Sequence, residues 1–283
     1  MGNIVLGDNQ YGKAETHVVR VFKDHAAHEI KDMNVSVALA GDFADVHLTG
    51  DNANVVPTDT QKNTVFAFAA DGVGEIEDFA LRLGWHFVGF DTVARARVSI
   101  VEYAWSRLGD HAFERAGETK RTTMVTTTRD GSQVVSGIAD AVVLKTTDSE
   151  FHGYVKDRYT TLPETRDRIM ATSLSARWRY RDVDVDWAAC YAEVTRRLKQ
   201  TFADHYSYSL QQTLYAMGKA VLEGCAEVAE IRLSMPNKHH FTVDLSPFGL
   251  ENANEVFYAA DRPYGLIEGT VRRDDVADAP GAW

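Results

Sequence analysis

Apolar and polar positions alternate along the first third of the chain as they do in half-buried strands. Residues 17–22 are rich in β-branched and apolar side chains, and Val35, Val37 and Leu39 take alternate positions. Past Gly41 the apolar parity shifts to Val46 and Leu48, the mark of a β-bulge in a continuing strand. After a polar stretch over 50–57 the period lengthens, and 63–70 and 76–87 read as helices. The second of these gathers Ile76, Phe79, Ala80 and Leu83 on one face. Strand character returns where Ala96, Val98 and Ile100 alternate with Arg95, Arg97 and Ser99.

The second half runs in the same order. Residues 121–128 and 134–146 are strand-like and joined at Asp130-Gly131, a strong hairpin signal. A polar, Thr-rich segment follows, then two helices. Trp187, Cys190, Tyr191, Val194 and Leu198 line the face of one, and Leu210, Leu214, Met217 and Val221 that of the other. Ile231, Leu233 and Met235 alternate next, and then Phe241, Val243 and Leu245. Each half thus reads as two strands, two helices and two strands, with units over 1–118 and 119–283. Thr58-Asp-Thr-Gln61 and Thr161-Leu-Pro-Glu164 look like capping boxes at the two strand-to-helix switches. The class is α+β, an antiparallel sheet with helices on one face. Such a sheet leaves open edges and one bare face, which assembly into an oligomer would cover.

Composition narrows the function classes. With 45% hydrophobic and 25% charged residues the chain is of globular type. Its formal charge of -11 disfavours general binding to nucleic-acid phosphates or to an acidic membrane surface. It leaves room for one small anion in a local basic pocket. Cys190 and Cys225 form no CxxC pair and read as small core residues in a reducing compartment. No apolar run reaches the ~18 residues of a membrane span. The first residues lack a basic stretch followed by an apolar one, and Leu6 stands where the myristoylation pattern after Gly2 needs Ser or Thr. The expected location is the cytoplasm.

Common catalytic signatures are missing. Gly72-Val-Gly74 runs into Glu75-Ile-Glu77 and is no dinucleotide fingerprint; there is no phosphate-binding loop and no nucleophile elbow. The adjacent pair His239-His240 would point its rings to opposite faces of a strand, a poor arrangement for two metal ligands. What stands out is a scatter of polar residues in odd places. Asn237 and His239 share strand parity with Phe241, on a face expected to be apolar. Arg168 lies in a charged run, Gln211 in the first turn of its helix behind Ser209, and Lys13 follows Tyr11-Gly12. Taken singly each has an ordinary structural explanation: an ion pair, a cap, a solvated lysine.

Taken together the strings are specific. Tyr11-Gly-Lys13, Val56-Pro-Thr-Asp-Thr-Gln-Lys-Asn-Thr64, the run from Phe151 to Leu162, Arg166-Asp-Arg-Ile169, Ser209-Leu-Gln-Gln-Thr-Leu-Tyr215 and Pro236-Asn-Lys-His239 resemble the urate oxidase (uricase) family, in that order. The resemblance spans nearly the whole chain. It implies the tunnelling fold, two tandem ββααββ units per chain, in a homotetramer with active sites at subunit interfaces. It implies oxidation of urate by O2 and water to 5-hydroxyisourate and hydrogen peroxide, with no metal, flavin or other cofactor. By matching position, Arg168 and Gln211 grip urate and Phe151 stacks on it. Leu162, Leu210 and Ile267 frame the pocket, with backbone contacts at Leu210 and Asp59. Lys13 and Thr58 form the catalytic pair and come from a neighbouring subunit. His239 completes a proton relay, and Asn237 sits beside the O2 or water site. Leu210 departs from the valine common there. A purine- or pterin-binding homotetramer of the same fold, without urate turnover, is the alternative. The missing zinc ligands weigh against the cyclohydrolase branch.

Overall fold

The computed structural model describes residues 2–260 and 262–283 and divides the chain into two compact units. The first runs to Gly137 and takes in Arg179–Ala188 and Ala277–Trp283. Its strands β1 (Tyr11–Phe22), β2 (Glu29–Gly41), β3 (Val93–Gly109) and β4 (Ala112–Thr128) pair antiparallel in that order. Between β2 and β3 come α1 (Ala44–Leu48), α2 (Thr58–Asp71) and α3 (Ile76–Val88). Alternation sorts the sheet's two faces. Val35, Val37 and Leu39 are buried beside Ala96, Val98 and Ile100, while Ser36, Ala38 and Arg97 lie on the other face and are only half-buried. The helical period does the same for α3, whose Ile76, Phe79, Ala80, Leu83 and Phe87 are all buried, with β3 and β4 as its neighbours in the sheet. Each of the larger side chains among them contributes about 1.5–3 kcal/mol by leaving water.

One charged group interrupts that core. Glu77 on α3 is 0% exposed and meets the Arg121 guanidinium at 2.7 Å and the Ser136 hydroxyl at 2.5 Å. Arg121 also reaches Glu75 at 2.5 Å. Burial pushes the Glu77 carboxyl above its ordinary range, against the pull of Arg121 and Ser136.

Strand β5 (Gly131–Lys145) begins in the first unit and ends in the second. The second unit continues with β6 (Met170–Tyr180) up to Trp178, α4 (Trp187–Asp204) from Ala189, α5 (Leu210–Gly224), β7 (Val228–Asn237) and, beyond a small separate hairpin, β10 (Gly265–Arg272). The hairpin is β8 (His240–Thr242) paired with β9 (Phe257–Ala259). The sheet order is β5-β6-β7-β10, with α5 packed on β7 and β10. Among the described residues no helix is long and apolar enough to cross a membrane.

Several local expectations are corrected. The parity shift at Val46 and Leu48 marks a short helix rather than a continuing strand; Leu48 is 66% exposed, and the actual slip in strand register falls at Ala40/Gly41. Thr58 is not a cap. It is the first helical residue after Pro57, and no side chain caps that end. Thr161-Leu-Pro-Glu164 opens no helix, for the next element is β6. That strand lies in the stretch taken as polar, because its inward positions include the small residues Thr172 and Ala176. Phe241, Val243 and Leu245 do not form one apolar strand. The β8–β9 hairpin stands apart from the larger sheet, and Phe241 is 48% exposed.

Candidate active site

The second unit holds a cavity of about 410 Å³, lined among others by Phe151, Leu162, Arg168, Asn237 and His239. Its wall is the long connection between β5 and β6. Phe151 and Thr165 bridge antiparallel across that connection, with N–H to O distances of 2.8 and 3.0 Å. The Arg168 N–H donates to the Ser149 carbonyl at 2.9 Å, so both ends of the wall are pinned by backbone. Pinned in this way, the Arg168 guanidinium lies 5.2 Å from the centre of the Phe151 ring.

The neighbours of Arg168 are engaged elsewhere. Asp167 accepts from the Thr147 hydroxyl at 2.8 Å and from the Asn254 amide at 3.1 Å. Arg166 is exposed and pairs at 3.6 Å with Glu150, whose carboxylate is buried, rather than forming the purely surface ion pair that such a charged run suggests. Arg168 itself, among the described residues, donates only a long Nε bond of 3.4 Å to the Ser149 hydroxyl. Desolvation moves its pKa below the ordinary arginine value, yet a guanidinium stays charged. A cation with its terminal nitrogens unspent, beside an aromatic face, suits a flat anion.

Asn237 and His239 line the same cavity, but by a different route from the one expected. β7 ends at Asn237, and His239 lies in the link to β8 rather than on one continuous strand. That link is tied by Lys238 N–H to the Ala171 carbonyl at 2.8 Å and by Ala260 N–H to the His239 carbonyl at 2.9 Å. The His239 ring stacks on Phe241 with centroids 5.7 Å apart. Burial first, then the Arg168 charge and His240, hold its imidazole below the usual histidine range. A neutral ring that can both give and take a proton is the result.

Leu210, Gln211 and Ile267 do not line this cavity. Leu210 is buried at the start of α5, Gln211 beside it is exposed, and Ile267 is half-buried opposite Met235. The cap of α5 belongs to its neighbour: Ser209 accepts from Gln212 N–H at 3.2 Å, and Gln212 Oε1 accepts from Tyr208 N–H at 2.8 Å. Gln211 is thus left out of the capping pair.

The other expected residues sit in the first unit. Thr58 and Asp59 open α2 and are exposed; Lys13 is half-buried on β1. Asp59 bonds Lys62 at 2.5 Å and Asn63 at 3.0 Å, and its pKa is lowered chiefly by Lys62, with the Lys13 charge adding a little. Gly12 lets β1 lie close to β2: a Cβ there would stand 1.8 Å from the Val37 carbonyl oxygen. The capping box expected of Thr58-Asp-Thr-Gln61 gives Gln61 only a helix-end role, but its side chain bonds β1 instead. Its place in the buried stripe Gln61–Val65–Ala69 was the available signal.

The family model described as Uricase matches residues 9–126 and 134–268. Uricase of Arthrobacter globiformis is 55% identical over 274 residues, covering 96% of this chain and 91% of that protein. Uricase of Dictyostelium discoideum is 40% identical over 280 residues, covering 95% and 97%. The crystal structure of the Arthrobacter globiformis uricase superposes with a TM-score of 0.96 at 54% identity over 99% of each chain. That of a uricase from Bacillus fastidious gives a TM-score of 0.81 at 27% identity over 94% of each. The architecture is therefore the α+β tunnelling fold of those structures, and the chain belongs to the uricase family.

Proposed function

We propose that this protein oxidises urate with O2 and water to 5-hydroxyisourate and hydrogen peroxide, without a metal or organic cofactor. The observation that carries the reading is the Arg168 guanidinium, held over Phe151 in a cavity of about 410 Å³ with no carboxylate bonded to it among the described residues. A planar urate anion would lie on Phe151 and take paired N–H donors from Arg168. Gln211 adds an amide donor and acceptor at the edge of the ring. Leu162 frames the pocket from within the cavity's lining, Leu210 and Ile267 frame it from outside that lining, and backbone at Leu210 and Asp59 adds polar contacts.

Urate then gives two electrons to O2, which takes two protons and leaves as peroxide. Water adds its hydroxyl to the oxidised ring and releases the proton that restores the balance. Substrate is the reductant, so the protein's task is to move protons and hold three reactants in register. Lys13 and Thr58 pass the proton from urate, His239 extends the relay, and Asn237 holds O2 or water. The cavity's lining comes from the second unit alone. That agrees with Lys13 and Thr58 reaching it from a neighbouring subunit of a homotetramer.

The test is to mix protein, urate and air-saturated buffer with a chelator and follow urate absorbance and peroxide together. Equal loss of urate and gain of peroxide, insensitive to chelator, is expected. Urate bound but not consumed overturns the proposal.

A further inference from the structure

Behind Lys13 lies a polar side chain that none of these roles explains. Gln61 is 0% exposed and occupies the first place of the buried stripe of α2. An amide in such a place is costly unless both its ends are bonded. Both are. Its Oε1 accepts the backbone N–H of Lys13 at 3.2 Å, and its Nε2 donates to the Val56 carbonyl at 3.2 Å. One side chain thus ties β1 at Lys13 to the segment that enters α2 at Thr58, two residues after Val56.

Tyr11 makes a second tie to the same point. Its hydroxyl donates to the Val56 carbonyl at 3.1 Å and accepts the Val56 N–H at 2.8 Å. The ring stands edge-on to Phe43, with centroids 4.8 Å apart and planes at 86°. Such ties are needed here. β1 is an edge strand, and its pairing with β2 slips between Lys13 and Thr16, with Glu15 at a φ of 57°. A bulged edge strand loses ladder bonds to its one neighbour within the chain. Without Gln61 the Lys13 N–H would lose this acceptor, and among the described residues Tyr11 would be left as the side-chain hydrogen bond between β1 and the entry to α2.

We infer that Gln61, assisted by Tyr11, is a positioning residue that holds Lys13 in register with Thr58 and so governs turnover without touching substrate. This rests on the proposed catalytic role of Lys13 and Thr58. Steady-state kinetics of Gln61→Met, Lys13→Met and the double variant test it. Gln61→Met should lower kcat about 100-fold, the size expected for a displacement near 1 Å, and leave the KM for urate within about threefold because Arg168 and Phe151 are untouched. The double variant should be no slower than Lys13→Met alone, since nothing then remains to be positioned. Tyr11→Phe keeps its ring on Phe43 and should slow turnover about tenfold with the same non-additivity. It decides the matter should Gln61→Met fail to fold. An unchanged kcat in Gln61→Met, or a double variant slowed by the product of both factors, overturns the inference. Normal turnover in Lys13→Met overturns the role of Lys13 and this inference with it, and that variant alone tells the two failures apart.

Discussion

In Arg168→Ala the cavity loses its guanidinium while the wall keeps its backbone ties, the Arg168 N–H to Ser149 at 2.9 Å and the Phe151–Thr165 bridge. The two charge-assisted hydrogen bonds proposed to urate disappear, worth about 3 kcal/mol or more together, so urate affinity should fall at least about 100-fold. Folding should hardly notice. What is lost internally is a 3.4 Å bond to Ser149 and a contact 5.2 Å from the Phe151 ring, offset by release of a partly desolvated cation. The net change should stay within about 1 kcal/mol. Thermal unfolding under nitrogen separates the two effects, because urate then binds without reacting. At a urate concentration 100 times the wild-type Kd, binding should stabilise the wild type by about 2.7 kcal/mol and the variant by about 0.4 kcal/mol or less. Arg168→Lys, which keeps the charge but not the fork, should fall between. A variant that melts like the wild type and gains the same urate-induced shift would show that Arg168 is not the clamp.

Three further outcomes are expected. Gly12→Ala forces a Cβ onto the Val37 carbonyl, 1.8 Å away, so β1 must shift by about 1 Å; kcat should drop about 100-fold, and unaltered turnover would refute the close-approach argument. Arg121→Met strands the buried Glu77 carboxylate and should cost about 3–5 kcal/mol in urea unfolding near pH 8. The Glu77 pKa lies above its unfolded value, so its share of stability is present at low pH and lost as pH rises through the folded pKa. The deficit should therefore shrink towards pH 5, and a pH-independent deficit would refute it. For His239, held below the usual range by burial and by Arg168, the acid limb of kcat should lie below pH 6.5, move upward in Arg168→Met at saturating urate and vanish in His239→Asn. An acid limb common to all three proteins would remove His239 from the relay.

Periodicity carried the long elements well. α3, α5 and β7 bury the residues whose spacing announced them, because a wide apolar stripe decides a helix or strand before tertiary contacts do. It failed where local chemistry and tertiary demand diverge. Thr58-Asp-Thr-Gln61 has the letters of a capping box, but Gln61 spends its amide on Lys13 and Val56 instead. β6 hid among threonine, serine and alanine, whose burial depends on neighbours supplied by other strands. At the cavity, residue identities in ordered strings pointed to Arg168, Phe151, Asn237 and His239. The freedom of Arg168 from Asp167 could not be read that way, since it depends on Thr147 and Asn254 occupying that carboxylate.

The first unit is closed by residues from the far end of the chain. Arg97 donates to the Gly281 carbonyl at 2.9 Å and Arg179 to that of Ala277 at 3.1 Å, while Ala282 is 0% exposed. A ribosome releasing this chain from its N-terminus has therefore made every residue of the second unit before the last pieces of the first emerge. The half of the proposed catalytic set carried by β1 and α2 would mature last, after a loop closure of long sequence separation. A fusion partner placed directly after Trp283 would burden that final step, whereas one placed before β1 would meet exposed residues.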